Sequence, residues 1–273
     1  MRWRSFSWVF VVAFAATLST GCGAEPVEDG SGGSPFGDAP LARAQSGGFS
    51  LELFTRGPLE VGRNEVAYRL VDAANDQVIT RATLTQKPMM TMAMHSHSCP
   101  LSQPRSEADA DGRFLGTIVP IMPSGDMGTW SLQVEAVPEG SAGPLTFDFG
   151  HLQVAERALP ARKDLVVGED EYVVTVNFPA GAPEVGSQDI IVTVHQSSQL
   201  GLSWPAQTDL TVVMTPEMPT MGHGSSGNVA PAHAADGEYR GVLNLNMAGA
   251  WRVTFELMRG GTSLGTVVYD FDV

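Results

Sequence analysis

Two short segments hold most of the soft donor atoms in this chain. Met89-Met90-Thr91-Met92-Ala93-Met94-His95-Ser96-His97-Ser98-Cys99 gathers methionines, two histidines and a cysteine into one run. Met214-Thr215-Pro216-Glu217-Met218-Pro219-Thr220-Met221-Gly222-His223 is its counterpart in the second half. Of the 12 methionines, only Met1 and Met258 lie outside these runs and the positions Met122, Met127 and Met247. Thioether and thiolate sulfur are soft ligands that select cuprous copper, and imidazole accepts it too. Neither run has zinc-finger spacing, and a single cysteine cannot build the usual structural zinc site. The chemistry indicated is copper(I) binding. The candidate ligands are Met218, Met221, His223, Met214 and Met247 in one half, and Met92, Met94, His95, His97 and Cys99 in the other.

Packing is the competing explanation, because methionine fills irregular gaps in cores. Met214 has the parity of Leu210 and Val212, Met247 that of Leu243 and Leu245, and Met122 that of Phe114 and Ile118, so each is expected to face a core. Met92, Met94, Met218 and Met221 differ, since they sit in turn-prone sequence beyond a strand end. A non-metal structural or protein-interaction module predicts buried methionines and scattered histidines. Metal binding predicts Met221 with His223, or Met94 with His95 and His97, turned into one shared space. His151 and His195 fall in strand-like sequence and are expected to be surface or packing residues. No nucleophile elbow and no His-Glu-x-x-His motif occurs, and the residues suggest no enzyme.

The elements that must position these donors are strands. Trp251, Val253, Phe255 and Leu257 alternate with Arg252, Thr254 and Glu256, and Trp130, Leu132, Val134 and Ala136 alternate with Ser131, Gln133 and Glu135. That is the period of a half-buried strand. No window has the period of an amphipathic helix. Internal repetition organises the strands. Met89 and Met122 map onto Met214 and Met247 at one spacing of 125 positions (214 − 89 and 247 − 122). Asp111-Gly112-Arg113-Phe114-Leu115-Gly116 resembles Asp236-Gly237-Glu238-Tyr239-Arg240-Gly241, and Trp130 and Trp251 follow in the same order. The sequence therefore predicts an all-β chain of two tandem immunoglobulin-like β-sandwich domains, residues 48–156 and 165–273, joined by Glu156–Lys163. In such a sandwich the strands ending near Met214 and Met247 finish at one rim, beside His223.

The N-terminus reads as a targeting segment. Arg2 and Arg4 precede an apolar run from Phe6 to Leu18, shorter than the roughly 20 residues that span a bilayer. The run ends in Leu18-Ser19-Thr20-Gly21-Cys22, which resembles a bacterial lipobox. Residues 1–21 are expected to be a lipoprotein signal peptide, Cys22 the lipidated residue, and 22–47 a flexible linker rich in Gly, Ser, Pro and acidic residues. Gly23 lacks the Asp associated with inner-membrane retention, so the expected site is the outer membrane of the cell envelope. The full chain carries 16 basic and 30 acidic residues, a net charge of −14. Losing Arg2 and Arg4 makes the mature charge −16. A chain this acidic is not a nucleic-acid binder, and its tie to the membrane is the lipid rather than a basic patch.

Met218-Pro219-Thr220-Met221-Gly222-His223, then Asp236 to Gly241, then Met247-Ala248-Gly249-Ala250-Trp251 together resemble the YtkA-like domain, which is related to FixH-like domains. The resemblance covers this stretch of the second half. The first half follows it less closely, with Met92-Ala93-Met94-His95-Ser96-His97 and Asp126-Met127-Gly128-Thr129-Trp130 in the matching places. It implies an extracytoplasmic sandwich domain, found in copper-handling or cytochrome-oxidase contexts. The partner it suggests is a copper-handling or respiratory membrane protein.

Overall fold

The computed structural model describes residues 34–273, apart from Ala142 and Pro160; the expected signal peptide and Cys22 lie outside the described residues. The first half contains β1 (Ala42–Ser46), β2 (Phe49–Thr55), β3 (Leu59–Glu60), β4 (Asn64–Asp72), β5 (Gln77–Ile79), β6 (Ala82–Thr91), β7 (Ser96–His97), β8 (Leu101–Ser102), β9 (Phe114–Ile118), β10 (Thr129–Pro138), β11 (Leu145–Leu152) and β12 (Val154–Ala155). The second contains β13 (Arg162–Val167), β14 (Asp170–Asn177), β15 (Gly186–Gln196), β16 (Leu210–Met218), β17 (His223–Gly224), β18 (Val229–Ala235), β19 (Glu238–Leu245), β20 (Ala250–Arg259) and β21 (Thr262–Asp272). A 3-10 turn, Gln199–Gly201, follows β15.

The architecture is all-β, two immunoglobulin-like sandwiches in tandem. One sheet of the first runs β1-β2-β4-β9-β8, with β5 also on β4, and the facing sheet runs β11-β10-β6-β7. The second half repeats this order as β13-β14-β15-β19-β18 facing β21-β20-β16-β17. Alternation builds the cores. Trp251, Val253, Phe255 and Leu257 are buried along β20, and Trp130, Leu132, Val134 and Ala136 along β10. Burying such side chains contributes roughly 1.5–3 kcal/mol each, which decides the face of every strand in register with them. The β20–β21 hairpin closes on Gly260 and Gly261, with φ of 56° and 83°. A two-residue hairpin with both central φ positive is the turn whose twist matches the strands, and glycine adopts it without a Cβ penalty.

β14 and β15 read as nearly continuous apolar runs because both faces are covered. Tyr172, Val174, Val192 and Val194 point into the second core. On the opposite face Val173 belongs to the core of the first sandwich, and Thr175 and Thr193 are buried, with their hydroxyls 2.7 Å apart. Arg63 of the first sandwich donates from Nε to Glu238 of β19 at 2.6 Å, both side chains buried.

The expected flexible linker 22–47 is corrected at its C-terminal end. β1 pairs with β2 from Ala42 to Ser46, Phe36 is buried, and the Arg113 guanidinium donates to Ser34 Oγ and to the Gly37 carbonyl. β1 is an edge strand and buries only Ala44, so Ala-Arg-Ala-Gln-Ser shows no strong apolar pattern. β13 likewise begins at Arg162, inside the expected inter-domain linker.

Candidate metal centre

The two methionine–histidine runs each fold into the same device at one rim of a sandwich. β6 ends at Thr91 and turns back so that His97 on β7 pairs with Met90, which itself pairs with Trp130 on β10. β16 ends at Met218, which pairs with His223 on β17, and the β16–β20 register brings Trp251 opposite it. Trp130 Nε1 donates to the Met122 carbonyl at 2.8 Å, and Trp251 Nε1 to the Met247 carbonyl at 3.0 Å. A strand-end methionine, a bridged histidine, a buried tryptophan and a turn methionine thus recur in both halves. The structural equivalents are Met90 with Met218 and His97 with His223. The even spacing of 125 that pairs Met89 with Met214 does not hold in the sheets.

Both histidine rings are oriented alike. His97 stands edge-on to Trp130, centroids 5.5 Å apart, and His223 edge-on to Trp251 at 6.4 Å. His97 Nδ1 lies 2.8 Å from the Ser98 carbonyl and His223 Nδ1 lies 3.0 Å from the Gly224 carbonyl. A carbonyl only accepts, so Nδ1 carries the proton and donates. In the neutral ring Nε2 then keeps its lone pair. In the first sandwich that nitrogen faces Met122 Sδ at 3.2 Å. Thioether sulfur has no proton to give: it accepts from Nε2–H when the ring carries both protons, and in the neutral ring with its proton on Nδ1 it stands beside a lone-pair nitrogen. A soft cation would be held there by His97 Nε2 and Met122 Sδ. Among the described residues no group of three or more His, Cys, Asp and Glu is placed to hold a metal, so any site here depends on thioether sulfur.

The structure sorts the expected ligands. Met221 is 59% and Met247 37% exposed, at the rim that carries the half-buried His223. Met218 is at this rim but buried, its methyl packed on Gly249, where an added Cβ would come within 2.7 Å of it. Met214 is corrected: it lies four positions back along β16 opposite Phe255, roughly 13 Å from the rim at 3.3 Å per residue, and packs against the second core. In the first sandwich His97 is buried at the site and Met92 is half-buried beside it. Met94 is 92% exposed and His95 exposed, its ring 6.4 Å from that of His97. Cys99 is also corrected. It is buried in the first core, and burial pushes its thiol up to about 12, against a smaller lowering by a hydrogen bond from the Val119 backbone. The thiolate is the metal ligand, and this environment withholds it. Met122 and Met90 are the positions that sequence reasoning left out. The signal for Met122 was its place just before Trp130, mirroring Met247 before Trp251.

Residues 166–256 match the family model described as YtkA-like. This stretch of the second sandwich is similar to the YtkA-like domain. The matched residues contain Met218, Met221, His223, Met247 and Trp251. No curated protein matches the chain. Among solved structures the chain is similar to FdeC, an Escherichia coli adhesin, at 17% identity over 84% of this chain and 64% of that one, with a TM-score of 0.26. It is also similar to domains 5–6 of the S-layer protein SbsC, at 11% identity over 83% of this chain and 97% of that one, with a TM-score of 0.26. The chain spans 64% of the length of the FdeC structure.

Proposed function

We propose that this is a lipid-anchored envelope protein that binds copper(I) at the Met/His rims of its two sandwiches, for buffering or for delivery to a membrane cuproprotein. The observation that carries the reading is the His97 Nε2 to Met122 Sδ contact of 3.2 Å, made while Nδ1 is committed to the Ser98 carbonyl. Repetition of the same His–carbonyl and Trp–carbonyl bonds in the second sandwich supports it. The first sandwich is a diverged copy of the YtkA-like domain. Neutral donors suit the reduced ion, because thioethers are poor ligands for cupric copper. A proton competes for Nε2, so binding weakens as the pH falls. The role is binding rather than catalysis. Cys22 carries the lipid, and the protein sits at the outer membrane.

The test is a competition titration of the full-length protein against a chromogenic copper(I) chelator. Wild type is expected to take up two equivalents. His97→Ala and His223→Ala are each expected to lose one, and Met122→Leu to weaken the first site at least tenfold. No uptake by wild type at micromolar copper, or unchanged uptake by both histidine variants, would leave a non-metal structural or interaction module as the reading. Intact mass tests the anchor: a mature protein without added lipid mass refutes it.

A further inference from the structure

The two rims are not equally open, and a hairpin of the second sandwich lies against the first. The connection between β15 and β16 leaves the second sandwich as a small hairpin, in which Ser198 N–H donates to Ser203 O at 2.9 Å and Gly201 N–H to Ser198 O at 3.0 Å. Its tip reaches the first rim. Ser98 N–H donates to the Gly201 carbonyl at 2.8 Å, and Trp204 Nε1 donates to the same carbonyl at 3.1 Å while its ring packs on the first core. Gly201 lies directly on His97: a Cβ there would stand 3.1 Å from His97 Cβ. Its φ of +80° is one that glycine takes without cost. Gln199 and Leu200 adopt φ of 50° and 58°, and Leu200 is 96% exposed. Nothing about the Leu200 side chain holds this left-handed pair, so the contacts of Gly201 and Trp204 do.

Ser98 therefore serves both sides. Its carbonyl fixes the His97 tautomer, and its N–H holds the hairpin. The result is a histidine that is 7% exposed in the first sandwich, against a half-buried His223 flanked by exposed Met221 and Met247 in the second.

We infer that the hairpin 198–203 is a cap that makes the first site a slow, retaining copper(I) site, while the second site exchanges its ion freely. This rests on the copper(I) reading above. The Ser98–Gly201 bond and the Gly201 contact hold the His97 backbone and Cβ in place, so an ion between His97 and Met122 would be released slowly until that bond opens, whereas an ion at the half-buried His223 would be reached directly by an incoming thioether or thiolate. Loading the first site also favours the capped form, since the metal and the cap hold the same peptide.

The experiment loads the full-length protein with two equivalents of copper(I) and mixes it with excess bicinchoninate in a stopped-flow instrument. Release is expected in two phases of equal amplitude, the slow one at least tenfold slower. His223→Ala should remove the fast phase and His97→Ala the slow one. Gly201→Val should bring the slow phase to within about threefold of the fast one. A variant-free arm guards against misfolding: hydrogen exchange at the Ser98 amide of wild type should slow at least tenfold on copper(I) loading. A single release rate from two bound ions, a slow phase that survives His97→Ala, or unchanged Ser98 exchange overturns the cap and leaves copper binding standing. Failure to bind any copper overturns the underlying reading instead.

Discussion

His195 gives the sharpest test of the interior, through acid titration of stability. It lies on β15, pairs across to Val173 on the face of the sheet that meets the first sandwich, and is 3% exposed. Burial lowers its pKa from 6.5 to about 4, with a backbone hydrogen bond and the charge of Asp236 offsetting part of the fall. Nδ1 has no hydrogen-bond partner among the described residues, so the ring is built in as the neutral form. The folded protein thus binds this proton less readily than the unfolded chain. Its contribution is complete above the unfolded value of 6.5 and is lost as the pH falls from there toward 4. Between pH 7.5 and 5.0 the loss comes to about 2 kcal/mol at 1.36 kcal/mol per pKa unit. With a urea dependence of roughly 2 kcal/mol per molar, the midpoint should fall by about 1 M. Carboxylates also titrate toward the acid end, so the measurement is a difference. Urea unfolding of wild type and His195→Gln is followed at pH 7.5, 6.5, 5.5 and 5.0. The variant is expected to be less stable at pH 7.5 and to lose about 2 kcal/mol less than wild type on acidification. Parallel pH profiles, separated by a constant, would refute a buried neutral His195 and with it the close seating of that sheet face.

Three further outcomes check the packing of the rims. Trp251→Ala should cost about 3–5 kcal/mol, as expected for a fully buried indole, measured by denaturant unfolding; a loss of a few tenths would mean an exposed ring. Gly249→Val places a Cβ against the Met218 methyl at a φ of +135° and should cost about 1–3 kcal/mol, read as a lower Tm for the second sandwich. Cys99 should resist a disulfide reagent at pH 8 in the folded protein and react once denatured, because it is 1% exposed and its thiol titrates near about 12; rapid labelling of folded protein would place it at the surface.

Strands with a buried apolar face were legible in the sequence, and edge strands with few apolar residues were not. The alternating faces of β10 and β20 carry the buried tryptophans as read. The edge strands β1 and β18 escaped notice, because an edge half open to water needs few apolar residues: one buried residue in Ala-Arg-Ala-Gln-Ser and one in Val-Ala-Pro-Ala-His-Ala-Ala. Cys99 looked like a soft ligand beside two histidines. Two residues past His97, however, it lies in the first core, and only the folded path of the chain decides that.

The site was half visible for a reason that concerns strand ends. Parity assigned Met122 and Met247 to the core by extending β9 and β19 past their last paired residues. β9 stops at Ile118 and β19 at Leu245, so by Met122 and Met247 the chain has turned and alternation no longer says which way a side chain points. What orients these residues instead is a carbonyl held by a tryptophan N–H from the next strand. The same break misaligned the repeats. Met90 and Met218 are matched by their pairing with His97 and His223 across a sheet, while turns of unequal length shift the spacing between halves. Donor atoms gather where the ladders end because a paired side chain is committed to a face, and a side chain beyond the last rung is free to be aimed. Met122 and Met247 stand beyond such ends, with His97 and His223 paired on short strands at the same rims, and that placement lets a sandwich built for packing present thioether and imidazole together at one edge.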